Sequence, residues 1–257
     1  MGIINIHKHN SMYNKKLTNQ YSLNKEVRVA FPPMPRVMMI EVTNNCNFKC
    51  VYCYNKHMKR ERGYIDSKLC IRIIGEALAR GVTDIGFHST GEAMLDDNLY
   101  GYIWYAKKMG CGYTYLNTNG SLLTEEIIRN LGNVLDSINI SAHGRDVSEI
   151  ESLAKKYIKN VVVTNVSDPR NQGGYMPMYP NSEILKRDGC MMPFNRLHVT
   201  KEGYLTICCV DFENRLVYAD LNKTSLWEAW QGKEAENYRK GHIGMANLPE
   251  QCKKCFG

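Results

Sequence analysis

The chain has 257 residues, a formal net charge of +7, 44% apolar and 23% charged residues. That mix excludes a wholly disordered chain, and the length allows one large domain or one domain with a small appendage. No apolar run approaches the ~18 residues needed to span a bilayer, and residues 1–20 lack the apolar core and small-residue cleavage site of a secretory signal, so a cytoplasmic setting without a membrane is expected.

Residues 1–36 read as a polar, Asn- and Lys-rich arm ending in the proline-stiffened entry Phe31-Pro32-Pro33-Met34-Pro35. The apolar run 37–42 suits a strand buried on both faces. Helix 67–80 follows, with Ser67 as N-cap and Gly81 past its end. Strand 84–88, helix 97–109 closed by Gly110, strand 113–117, helix 124–131 capped by Thr124, strand 137–141, helix 146–158 and strand 161–165 complete the series. Strands alternating with helices of this length predict parallel βαβ units. The expected α/β fold is a partial parallel (β/α) barrel of five to six strands; a doubly wound sheet is the alternative. Residues 167–189, with Pro169, Gly173, Gly174, Pro177 and Pro180, read as loop. Residues 196–200 and 204–210 bracket Lys201-Glu202-Gly203 as a β-hairpin. Helix 225–240 places Leu226, Trp227, Ala229 and Trp230 on its apolar side. The division expected is an arm (1–36), a partial barrel (37–185) and a small hairpin-plus-helix domain (186–257).

Seven of the ten cysteines fall in three tight groups: Cys46, Cys50 and Cys53; Cys208 and Cys209; Cys252 and Cys255. Without a secretory signal they suit metal better than disulfides. Cys46, Cys50 and Cys53 have the spacing C-x3-C-x2-C, on the loop after the first strand, where barrel folds build active sites. Three thiolates on a four-iron cluster leave one iron open, and an open position marks a catalytic site. A zinc knuckle completed by His57 is the bland alternative.

This segment resembles the signature of the radical S-adenosylmethionine superfamily, in which an aromatic residue, here Tyr52, precedes the third cysteine and lies against the adenine. The resemblance implies that S-adenosyl-L-methionine chelates the open iron and yields a 5′-deoxyadenosyl radical that takes hydrogen from substrate. Ser89-Thr90-Gly91-Glu92 resembles the family's Gly-Gly-Glu-Pro motif, which binds the methionine amino group; Thr90 replaces a glycine and Ala93 the proline. Asn117-Thr118-Asn119-Gly120 resembles the family's Thr-Asn-Gly. Ser141 and His143 at the fourth strand end, and Asn165 at the fifth, fall where members contact the cofactor.

Cys190, Gly203, Cys208 and Cys252-x2-Cys255 resemble the twitch domain, a shortened SPASM domain whose four cysteines fill every corner of a second 4Fe-4S cluster. Resemblance thus covers residues 37–257. The family spacing selects Cys208 as ligand, and strand alternation, which sets Cys209 on the opposite face, argues against one site using both. A structural zinc site is the alternative here. Cys70 and Cys111 read as small buried apolar groups. Two ligated clusters lower the net charge to about +4, a weak basis for binding nucleic acid. Lys59-Arg60-Glu61-Arg62 and Lys155-Lys156 read as solvated surface.

A fully ligated second cluster suggests an electron acceptor, and hence oxidation of a hydroxyl on a sugar- or cyclitol-like small molecule, with flavodoxin or ferredoxin as external electron donor. Size and cysteine layout are similar to those of the aminocyclitol dehydrogenases. Those enzymes carry Asn-Arg-Gly-Gly after the fifth strand; this chain has Asn171-Gln172-Gly173-Gly174. Glutamine cannot accept a proton, so Arg170, Asp168 or a histidine would have to substitute. Radical peptide modification or epimerisation, with Cys209 or Cys111 as hydrogen donor, and a zinc-stabilised binding module are the alternatives.

Overall fold

Alternate residues of six strands are apolar, and this two-residue period decides which face of the sheet is core. In the computed structural model, which describes residues 28–165, 169–180 and 190–256, eight strands form one sheet. They are β1 (Val37–Ile40), β2 (Asp84–Phe87), β3 (Tyr113–Thr118), β4 (Ser137–Ser141), β5 (Asn160–Thr164), β6 (Arg196–Val199), β7 (Tyr204–Thr206) and β8 (Val217–Asp220). The spatial order is β5-β4-β3-β2-β1-β6-β7-β8. The first six are parallel, whereas β6–β7 and β7–β8 are antiparallel. Met38, Ile40, Ile85, Phe87, Leu116, Ile138, Ile140, Leu197 and Val199 belong to a single buried cluster.

The helices of the βαβ units supply the other side of that core. They are α1 (Ser67–Ala79), α2 (Leu99–Lys108), α3 (Glu125–Gly132) and α4 (Ser148–Tyr157). Thr124 caps α3 as expected, its hydroxyl accepting from Ile127 N at 3.3 Å. The cap of α1 is Asp66 rather than Ser67: the carboxylate accepts from Leu69 N at 2.8 Å, one residue earlier than read.

The short α5 (Met192–Asn195) leads directly into β6, which pairs in parallel with β1. The C-terminal segment therefore extends the same sheet. The expected division at residue 185 lies outside the described residues. The expected single helix 225–240 is two, α6 (Leu226–Gln231) and α7 (Lys233–Gly244), broken at Gly232, whose extended backbone ends the first and starts the second. A last helix, α8 (Glu250–Phe256), carries Cys252 and Cys255. The proline entry docks against this region, with the Trp230 indole donating to the carbonyls of Pro32 and Pro33. Among the described residues no helix is long and apolar enough to cross a membrane.

Candidate active site

The C-terminal ends of β1 to β4 converge on one cavity of about 420 Å³. Its walls include Cys46, Cys50, Cys53 and Tyr52 from the loop after β1; Thr90, Gly91 and Glu92 after β2; Asn117, Thr118 and Asn119 at the end of β3; and Ser141 and His143 after β4. Of the residues expected to contact S-adenosylmethionine, Asn165 stays off the wall. Its side-chain oxygen accepts from Gly144 N at 3.1 Å and so holds the turn that carries His143, whose φ is +53°.

The cysteine loop is fixed by its own polar residues. The Asn55 amide donates to the carbonyls of Asn44 and Thr90 at 3.0 and 2.6 Å. The Asn119 amide donates to Asn47 Oδ1 at 2.8 Å, and Glu92 N to Asn45 O at 2.7 Å. Loop and strand ends thus share hydrogen bonds, which sets the three thiols against the cavity. Burial pushes the Cys46 and Cys53 thiols up. Cys50 Sγ lies 3.7 Å from His143 Nδ1, and the Tyr52 hydroxyl meets that same nitrogen. Tyr52 stacks on the imidazole with ring centroids 5.9 Å apart. Burial, then the nearby Cys50, pushes the Tyr52 phenol up to about 12, and burial pushes the His143 imidazole down. His57 is exposed and leans on the Tyr54 ring, away from the three thiols.

Glu92 is buried and accepts from Met94 N at 3.1 Å, Thr118 Oγ1 at 2.8 Å and Asn119 N at 2.6 Å. An ionised carboxylate offers about four acceptor positions, so one remains for an ammonium group. Burial raises its carboxyl against the pull of these hydrogen bonds. Gly91 is required by close approach: a Cβ there would stand well inside contact distance of the Thr43 and Asn45 carbonyl oxygens. Gly91→Ala is therefore expected to push the cysteine loop off the end of β2. Its S-adenosylmethionine affinity should fall at least about tenfold, measurable by equilibrium dialysis of the reconstituted protein, with a stability loss of ~1–3 kcal/mol.

One reading of the basic run is overturned here. Arg60 is not solvated surface; its side chain is 6% exposed. It holds both oxygens of Glu41, which is itself 1% exposed, at 2.8 Å, and also Glu202 at 2.9 Å and Asn214 at 2.7 Å. Thr90 Oγ1 also bonds to Glu41. This network ties β1, the cysteine loop, β2 and the β6–β7 hairpin together. Lys155, by contrast, is exposed and pairs with Glu151 along α4.

The second cysteine set also comes together. Cys190, Cys208, Cys252 and Cys255 line one small void with Ile207, Val210, Leu216 and Phe256. Burial pushes Cys190 and Cys252 up to about 12. Among the described residues no group of three or more Cys, His, Asp or Glu converges as a single metal ion requires. Four cysteine thiols around one void are a donor set suited to an iron-sulfur cluster. Asp211 positions the turn, accepting from Thr206 Oγ1 and the amides of Arg215 and Leu216, each at 2.8 Å.

The alternation argument against Cys209 does not hold. Strand β7 ends at Thr206, so Cys208 and Cys209 sit in a turn, where neighbours need not face opposite ways. The charge of Cys209 is felt at Cys190, Cys208 and Cys255. A hydrogen bond to Cys208, opposed by burial, brings Cys209 down to about 7. Cys70 and Cys111 are buried. Cys111 donates to Thr83 O just before β2, at the opposite end of the sheet from the cavity, which removes it as a hydrogen donor to substrate.

Residues 171–174 bridge the two cysteine sites. The Gln172 amide donates to Tyr52 O at 2.7 Å and accepts from Tyr54 N at 3.1 Å. Asn171 donates to Lys254 O at 3.0 Å, and Gln251 to Gly173 O. Gln172, at φ +48°, thus latches the first loop while its neighbours latch α8. Arg170 lines the cavity; Asp168 lies outside the described residues.

Residues 40–168 match the Radical SAM superfamily. The chain belongs to the radical S-adenosylmethionine superfamily. Residues 190–256 match the SPASM iron-sulfur cluster-binding domain. These are the domains that bind S-adenosylmethionine and 4Fe-4S clusters, and the two sets of thiols are donors suited to them. The chain is similar to the S-adenosyl-L-methionine-dependent 2-deoxy-scyllo-inosamine dehydrogenase of Niallia circulans, at 26% identity over 84% of this chain and 90% of that protein. It is also similar to the PqqA peptide cyclase of Gluconobacter oxydans, at 29% identity over 47% of this chain and 33% of that protein. Among solved structures, BtrN in complex with AdoMet and 2-DOIA matches at TM-score 0.71 and 24% identity, over 83% of this chain and 90% of that one. Streptococcus suis SuiB bound to its precursor peptide matches at TM-score 0.59 and 13% identity, over the whole of this chain and 77% of that one.

Proposed function

We propose that this radical S-adenosylmethionine enzyme is a dehydrogenase that oxidises a hydroxyl of a sugar- or cyclitol-like small molecule. The observation that carries the reading is the junction of the two thiol sets. Ser89, on the cavity wall, donates to the carbonyl of Cys209 at 3.1 Å, next to Cys208 of the second set. An electron acceptor held by the second set would stand beside the reacting substrate. Similarity to the Niallia circulans dehydrogenase over most of both chains supports the same reaction type.

In this reading Cys46, Cys50 and Cys53 hold one cluster and leave an iron open, and Cys190, Cys208, Cys252 and Cys255 hold the other. Bound at the open iron, S-adenosylmethionine supplies the radical that takes a hydrogen atom from substrate. Glu92 takes the methionine ammonium group with its remaining acceptor position, and Tyr52 and His143 flank the cofactor. Because its two amide ends are committed to the backbone of the cysteine loop, Gln172 positions that loop and takes no proton. An external donor such as flavodoxin or ferredoxin supplies the reducing electron.

The test is anaerobic reconstitution followed by a 5′-deoxyadenosine assay with candidate cyclitols and peptides. About eight irons per chain and a product lighter by about 2 Da are expected. Zinc without iron would overturn the radical chemistry, and a peptide product of unchanged mass would replace oxidation by epimerisation. Replacing Cys252 or Cys255 by Ala should spare part of the 5′-deoxyadenosine formation while ketone formation falls by about 100-fold or more, as read by mass spectrometry.

A further inference from the structure

The inner face of the sheet carries polar groups that the reading above leaves unused. His88 follows the last residue of β2, and His198 lies in β6. Met39 pairs with Gly86 on one side and with His198 on the other, so the two imidazoles lie on the same face, flanking β1. Tyr115 pairs with Gly86, which continues the row to Asn117 two residues on. His88 and Asn117 line the reaction cavity, and the His88 ring lies 5.3 Å from that of Tyr115.

His198 is 3% exposed, and neither of its ring nitrogens has a hydrogen-bond partner among the described residues. His88 Nδ1 and Asn117 Oδ1 are enclosed in the same way. Burying polar atoms without partners destabilises the fold, and here His88 and Asn117 do so on the cavity wall, with His198 on the same sheet face across β1. Burial first, and then the Arg196 guanidinium two residues before His198, push both imidazoles down to about 3. Both rings are therefore neutral near pH 7, each with one N–H and one bare nitrogen. Such a set matches hydroxyl groups, which both donate and accept.

We propose that His88 and Asn117, on the cavity wall, form the subsite for the hydroxyl groups of a ring polyol. This assignment rests on the dehydrogenase reading above. His88 Nδ1 and Asn117 Oδ1 have no hydrogen-bond partner among the described residues, and a substrate hydroxyl supplies one to each. His198 stands on the same sheet face across β1, off the cavity wall.

The experiment uses the reconstituted full chain with scyllo-inositol and 2-deoxy-scyllo-inosamine as probes, and probe binding is measured by equilibrium dialysis with S-adenosylhomocysteine present. His88→Phe should weaken probe binding about tenfold while S-adenosylhomocysteine binding stays within about threefold. Asn117→Leu should weaken probe binding about tenfold as well. His88→Leu is the second variant if His88→Phe does not fold. Unchanged probe binding in the folded variants overturns the subsite. If the wild-type protein neither binds nor oxidises the probes, the dehydrogenase reading fails first and takes the subsite with it.

Discussion

The Cys50→Ala variant is expected to form no 5′-deoxyadenosine. In the proposed assignment three thiols are the fewest that hold a four-iron cluster with one iron open, so losing one leaves two donors for a group that needs three. Cys50 is also the thiol closest to His143, at 3.7 Å, so its removal takes away the sulfur beside the Tyr52–His143 pair. Iron content should fall by about four per chain while the C-terminal set keeps its own cluster. The measurements are iron and sulfide analysis and 5′-deoxyadenosine chromatography after anaerobic reconstitution. Undiminished iron and full cofactor cleavage in this variant would show that Cys50 is not a ligand.

The second large effect is expected at Arg60. Arg60→Met removes the partner of Glu41 in a pair that is almost fully enclosed. An uncompensated buried charge costs about 3–5 kcal/mol. For a chain of this size that lowers Tm by on the order of 10 °C. The effect should reach the site, because Glu41 also holds the Thr90 hydroxyl and accepts from Lys201 N at 3.0 Å. A weaker grip on S-adenosylmethionine should accompany the thermal loss. Combining Arg60→Met with Glu41→Leu should recover part of the stability, since the enclosed carboxylate is gone and only the partly exposed Glu202 is left without its guanidinium partner. A loss confined to about 0.5 kcal/mol would return Arg60 to the solvated surface.

Much of the site was legible in the chain because local chemistry wrote it there. The spacing of Cys46, Cys50 and Cys53 is a short-range pattern, and the resemblance to the superfamily supplied the reading of Thr90-Gly91-Glu92 and of the polar strand ends. Arg60 was misread because a basic run looks the same whether water or a buried carboxylate receives it. Its partners lie 19 and 142 residues away in sequence. The strand was carried too far, past Thr206, so alternation says nothing about Cys209. His198 did leave a trace: Arg196, His198 and Thr200 alternate with Leu197 and Val199, a pattern that keeps one face of β6 out of the apolar core.

The sequence by itself determined the βαβ order, the parallel sheet, the first thiol triad and the polar strand ends, because each depends on residues a few positions apart. Only the tertiary structure decided that β6 docks beside β1, that residues 171–174 bridge both thiol sets, and that His88 and His198 share one face of the sheet. Those arrangements depend on which distant surfaces exclude water together, and burial of that kind has no periodicity to read along the chain.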